Sequence, residues 1–79
     1  MKADRLTKVL AVERIMKQNP YGITVNQIIY LLEKKYDIKA ERKGIYNNIA
    51  ALTRFMQIDK YKANGQVYFC AGKEIKNEL

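Results

Sequence analysis

Arg42, Lys43, Tyr46 and Asn47 fall between positions 42 and 47. A guanidinium, an ammonium, a phenol and a carboxamide supply many hydrogen-bond donors and no neutral-pH base. Their chemistry is recognition: Arg and Lys pair with O6 and N7 of guanine, Asn pairs with N6 and N7 of adenine, and Tyr offers its hydroxyl to a phosphate or its ring to a thymine methyl. At about 100° per helical residue, Lys43, Asn47, Ala50 and Arg54 gather on one side, Arg42 and Tyr46 flank them, and Asn48 lies nearer the core boundary. Lys60 and Lys62 alternate onto one face of a later strand, close to Asn64-Gly65. Lys39, Arg54, Lys60, Lys62 and Asn64 are therefore the expected contacts to a phosphate backbone, which position a protein without choosing a sequence. Protection of a strand edge by lysine is the competing reading of Lys60 and Lys62.

Other chemistries lack their residues. The sequence has no histidine and no serine, Cys70 is its one thiol, and Asp37, Glu41 and Asp59 are scattered. No glycine-rich phosphate loop is present. The expectation is a non-enzymatic chain with no cofactor, no metal and no small-molecule site. One cysteine cannot close an intrachain bridge, which suggests a reducing, cytoplasmic compartment. The longest apolar runs, Val9 to Val12 and Ile28 to Leu32, fall far short of a membrane span or a secretory core.

The chain has 79 residues, 48% hydrophobic and 29% charged, values of an ordinary folded domain, so residues 1–79 are expected to form a single one. Of 15 basic and 8 acidic residues, positions 1–33 hold five and three, positions 34–62 hold eight and three, and positions 63–79 hold two and two. Thus +5 of the net +7 lies between Lys34 and Lys62. Such a concentration can neutralise several phosphates at once and release their counterions.

The elements that must carry these groups are punctuated by Asn19-Pro20-Tyr21-Gly22 and Asn64-Gly65. Helix one is expected from Asp4, as N-cap, to Gln18, with Leu6, Val9, Leu10, Val12 and Met16 inward and Ile15 left outside the stripe. Thr24-Val25-Asn26-Gln27 matches a capping box that starts helix two. Val25, Ile28, Ile29, Leu32 and Tyr36 face inward, Asn26, Tyr30 and Glu33 face outward, and the pattern ends near Tyr36-Asp37. Ile45, Ile49, Leu52 and Met56 define helix three, 42–56, with Gly44 an unfavourable choice inside it. Close approach of the backbone to DNA and a frayed first turn are equal readings of that glycine. A hairpin over 58–71 turns at Asn64-Gly65 and pairs Lys62 with Val67, Tyr61 with Tyr68 and Lys60 with Phe69. Either Ile58, Val67 and Phe69 or Tyr61, Tyr68 and Cys70 packs on the helices.

The expected fold is mainly α with a small β-hairpin, a winged helix-turn-helix of three helices and a two-stranded wing. The stretches Ile23 to Ile29 and Tyr36 to Tyr46, with Arg5-Leu6, Ile49, Ala51-Leu52, Ile58 and Tyr68-Phe69, resemble the N-terminal DeoR-like winged helix of bacterial regulators that carry a WYL sensor domain. Glu78-Leu79 resembles the start of the family's link to that sensor. The resemblance is most specific over Arg42 to Leu52, where the family reads Arg-Lys-Thr-Ile-Tyr-Arg-Asp-Ile. Arg42, Lys43 and Tyr46 match as DNA-contacting positions, whereas Gly44, Asn47 and Asn48 replace Thr, Arg and Asp.

The residues and the resemblance together lead to the expectation of transcription regulation by sequence-specific binding of double-stranded DNA, with helix 42–56 in the major groove, Arg42, Lys43, Tyr46 and Asn47 reading bases, Asn47 on its own chemistry and spacing alone, and the hairpin on the backbone. A nucleoid-associated cytoplasmic location and a homodimer are compatible with it. A winged-helix module that binds an acidic protein is the main alternative. A single-strand or RNA binder that stacks bases on Tyr21, Tyr30, Tyr36, Tyr61 and Tyr68 is the third.

Overall fold

The computed structural model describes residues 4–74. The predicted link residues Glu78 and Leu79 lie outside the described residues. The order is α1 (Arg5–Lys17), α2 (Val25–Tyr36), α3 (Arg42–Leu52), β1 (Met56–Ala63) and β2 (Gln66–Glu74). This is a mainly helical fold with a two-stranded antiparallel wing, the arrangement expected of a winged helix.

Local signals set the helix ends. Asp4 caps α1, its carboxylate accepting the Thr7 N–H at 2.7 Å. Thr24 and Gln27 form both halves of the capping box of α2: the Thr24 hydroxyl accepts the Gln27 N–H at 3.1 Å, and the Gln27 side-chain oxygen accepts the Thr24 N–H at 3.0 Å. Helix α2 closes on Asp37, which adopts a left-handed φ of 54°, and Ile38 N–H donates to the Leu32 carbonyl at 3.0 Å. A short polar side chain tolerates that conformation better than most. The closure also turns Ile38 into the core.

The core joins Val12, Ile15 and Met16 of α1, Val25, Ile28 and Leu32 of α2, and Ile45, Ile49 and Leu52 of α3, with Met56 and Phe69 contributed by the wing. Ile15 is fully buried, against the expectation, while Leu6 is 67% and Leu10 52% exposed. Helix α1 is turned about a quarter revolution from the orientation its large residues favoured, so that Ala11 and Ile15 face inward beside Val12 and Met16. Small Ala11 permits close packing, a preference that counting bulky side chains misses.

Helix α3 ends at Leu52, four residues before the expected Met56. Thr53 turns its hydroxyl back onto the Ala50 carbonyl at 2.5 Å, and Phe55 N–H reaches Leu52 O at 2.9 Å, closing a tight turn. Met56 still enters the core, as the first residue of β1. Arg54 consequently lies in the turn and not on the outer face of the helix.

The wing has the predicted register: Lys60 opposes Phe69, Tyr61 opposes Tyr68 and Lys62 opposes Val67. Asn64 and Gly65 have φ of 52° and 74°, the two positive values of a type I′ turn. Of the two candidate faces, the one bearing Ile58 and Phe69 meets the helices, although Val67, nearer the tip, remains 39% exposed. Tyr61 and Tyr68 stack on the opposite face with centroids 5.2 Å apart. Reciprocal backbone hydrogen bonds of 2.8 and 3.0 Å join Ile23 to Phe69, tying β2 to the residue just before α2. The Tyr61 hydroxyl donates to the Tyr21 carbonyl at 2.6 Å. Its ring leaves no room at Gly22, where a Cβ would lie 2.6 Å from that hydroxyl.

Candidate nucleic-acid interface

Helix α3 buries Ile45, Asn48, Ile49 and Leu52 and leaves Lys43, Asn47, Ala50 and Ala51 exposed on its far side. Residues on one helical side line up because positions three and four apart share a face. Lys43 and Asn47, spaced by four, therefore stand together on an exposed ridge with small Ala50 beside them. Nothing from the wing covers them.

Arg42 and Tyr46 occupy the wing side of this ridge. The Arg42 guanidinium donates to Asn26 Oδ1 at 2.5 Å and to the Tyr46 hydroxyl at 3.2 Å, and stands 5.8 Å from the centre of the Tyr46 ring. Tyr46 in turn packs edge-on to Phe69, with centroids 6.1 Å apart. This ladder links the first turn of α2, the first turn of α3 and the wing. Arg42 and Tyr46 thus have intramolecular partners, whereas Lys43 and Asn47 have none among the described residues.

Two clefts flank the ridge. On the wing side a hollow of about 480 Å³ runs between Thr24 to Gln27, Arg42 and Tyr46, and Gly65 to Val67 of the wing tip. On the α1 side a second, of about 500 Å³, is lined by Asp4, Arg5, Lys8, Val9, Gly44, Asn47, Asn48 and Ala51. A further hollow, of about 580 Å³, lies along α1 beside Leu10, Arg14 and Tyr36, and none of the expected duplex contacts lines it.

The expected phosphate contacts are all exposed but not contiguous. Lys39 lies in the loop before α3, on a shallow depression shared with Lys8, Glu41 and Gly44. Lys60 and Lys62 stand on the same side of the hairpin as Phe69 and Val67, Lys60 directly opposite core-packed Phe69 and Lys62 one pair nearer the tip, opposite exposed Val67. Asn64 forms the tip itself. None of Lys39, Lys43, Arg54, Lys60 and Lys62 has an ion-pair partner among the described residues; the pair that does form, Lys17 with Glu13 at 3.7 Å, is on α1.

Gly44 lies in the first turn of α3. It sits inside a regular helix and faces α1: a Cβ there would lie 2.9 Å from Lys8 Nζ. The Lys8 ammonium, the end of a flexible side chain, occupies the space beside it. Sequence reasoning missed Arg5, Lys8, Asn26 and Gln66 as residues lining the two clefts. Asn26 was within reach, since the capping box fixed it one residue into α2 and outward. Lys8 was not, because only tertiary packing brings it to Gly44.

No group of three or more His, Cys, Asp or Glu side chains suited to a metal ion occurs among the described residues. No helix among them is long and apolar enough to cross a membrane. Comparison of the chain with family models, curated proteins and solved structures finds no match.

Proposed function

We propose that this chain binds double-stranded DNA in a sequence-dependent manner, as a non-enzymatic transcription-regulating domain of the DeoR-like kind its sequence resembles. Helix α3 enters the major groove, and the wing lies along the backbone. The observation that carries this reading is the exposed ridge of Lys43, Asn47 and Ala50, flanked by clefts, in the stretch that holds +5 of the net +7 charge. A major groove about 12 Å wide admits one helix with its side chains, and the small Ala50 allows close approach to base edges.

Within this reading Lys43 and Asn47 are the base readers, since their polar ends are uncommitted. Arg42 and Tyr46 hold the angle between the two helices of the motif and reach bases only by exchanging their present partners. Lys39, Lys60, Lys62 and Asn64 meet phosphates, and Arg54 does so from the turn after α3. A cytoplasmic, nucleoid-associated location follows from the function proposed.

Titration with duplex DNA at several salt concentrations tests it. Phosphate neutralisation predicts a linear fall of log affinity with log salt, of about −0.9 per phosphate engaged. A preference for single strands would replace the proposal with base stacking. Salt-insensitive binding to duplex, with tight binding to an acidic protein, would replace it with the protein-interaction reading.

A further inference from the structure

The wing accounts for contacts on one side of α3 only. A helix seated in a major groove has a phosphodiester strand on each side, so the α1 side of the ridge must also meet phosphate. From the cleft there, we infer that Arg5 and Lys8 of α1, with Asn48 of α3, form a second phosphate-binding site, opposite the wing. The inference rests on the proposed duplex reading and adds a contact from α1, on the side of the ridge that the wing does not reach.

Three observations converge on that cleft. Arg5 and Lys8 both line it, and neither has an acidic partner among the described residues. The one lining carboxylate, Asp4, is already engaged by the Thr7 N–H at the start of α1. Asn48 lies against the same cleft, 92% buried by its 8% exposure, and its Nδ2 has no hydrogen-bond partner. A buried amide donor without an acceptor is costly, and a turn of the Asn48 side chain toward the cleft would let it meet an oxyanion settled between Arg5 and Lys8.

The test compares Arg5→Gln and Lys8→Gln with the unaltered chain in duplex titrations over salt, and follows the Asn48 side-chain amide by NMR while inorganic phosphate is added. Each substitution is expected to lower the steepness of the salt dependence by about 0.9 and to weaken all duplex sequences alike. Saturable shifts at Asn48 that Lys8→Gln abolishes are expected with phosphate.

If the unaltered chain binds duplex and both variants keep its full slope, the second DNA contact is overturned while the proposed function stands. Phosphate shifts in that case would assign the cleft to a free oxyanion instead. If the chain does not bind duplex at all, the proposed function fails, and phosphate shifts alone decide whether the cleft is an oxyanion site. Absence of both responses overturns the site outright. Circular dichroism of the two variants separates loss of contact from loss of fold.

Discussion

Asn47 and Lys62 are both exposed, yet they should fail in different ways. Asn47 stands on the ridge of α3, where a carboxamide can make two directional bonds to one base, so its removal alters preference. Asn47→Ala is expected to cost about 1–3 kcal/mol on the selected duplex and to relax specificity at one position. Lys62 is a mobile ammonium on the wing, so Lys62→Ala should weaken every duplex alike and reduce the salt slope by about 1. Equal losses on random and selected duplexes for Asn47→Ala would remove it from the readers. At this scale the sequence was a good guide to which side chains of α3 are exposed, because a helical period fixes faces once a core stripe is known. It was a poor guide to commitments: that Arg42 spends its donors on Asn26 and Tyr46 depends on how two helices meet, which no local pattern encodes.

The elements divide in the same manner. Thr24 with Gln27, Asn64-Gly65 and the cap at Asp4 were legible because each acts through backbone donors or torsions within a few residues. The rotation of α1 was not, since two overlapping apolar stripes share Val12 and Met16 and only contact with α2, α3 and β2 chooses between them. That choice is measurable. Ile15→Ala, at a fully buried position, is expected to destabilise the fold by about 2–5 kcal/mol. Leu6→Ala, at a largely exposed one, should change stability by no more than about 0.5 kcal/mol. Chemical denaturation of the two variants checks the pair, and comparable losses would place α1 in the other orientation.

The cap of α1 also carries a pH signature. The Thr7 N–H holds the Asp4 carboxyl below its ordinary value of 3.8. A carboxylate whose pKa falls on folding stabilises the folded state above the unfolded value, and that contribution disappears as pH drops through the folded value. Amide protection in the first turn of α1 should therefore decline on acidification below about pH 3.8 in the native chain, and Asp4→Ala should flatten that decline. An unchanged pH profile in Asp4→Ala would assign the acid sensitivity to other groups.

For the whole molecule, the account depends on one face acting as a unit: the α3 ridge at its centre, the wing on one side and the N-terminal half of α1 on the other. The charge asymmetry that first suggested this face was visible by simple counting, but its division into a central ridge and two lateral clefts required the packed helices. The most direct test is to map backbone and side-chain amide shifts of the isotope-labelled chain as it binds a duplex it has itself selected from a random pool. The account predicts the largest changes at Lys43, Asn47 and Ala50, with accompanying changes at 62–66 and at Arg5 and Lys8. Changes confined to the Leu6, Leu10 and Tyr36 side of the molecule, with the α3 ridge unaffected, would contradict it.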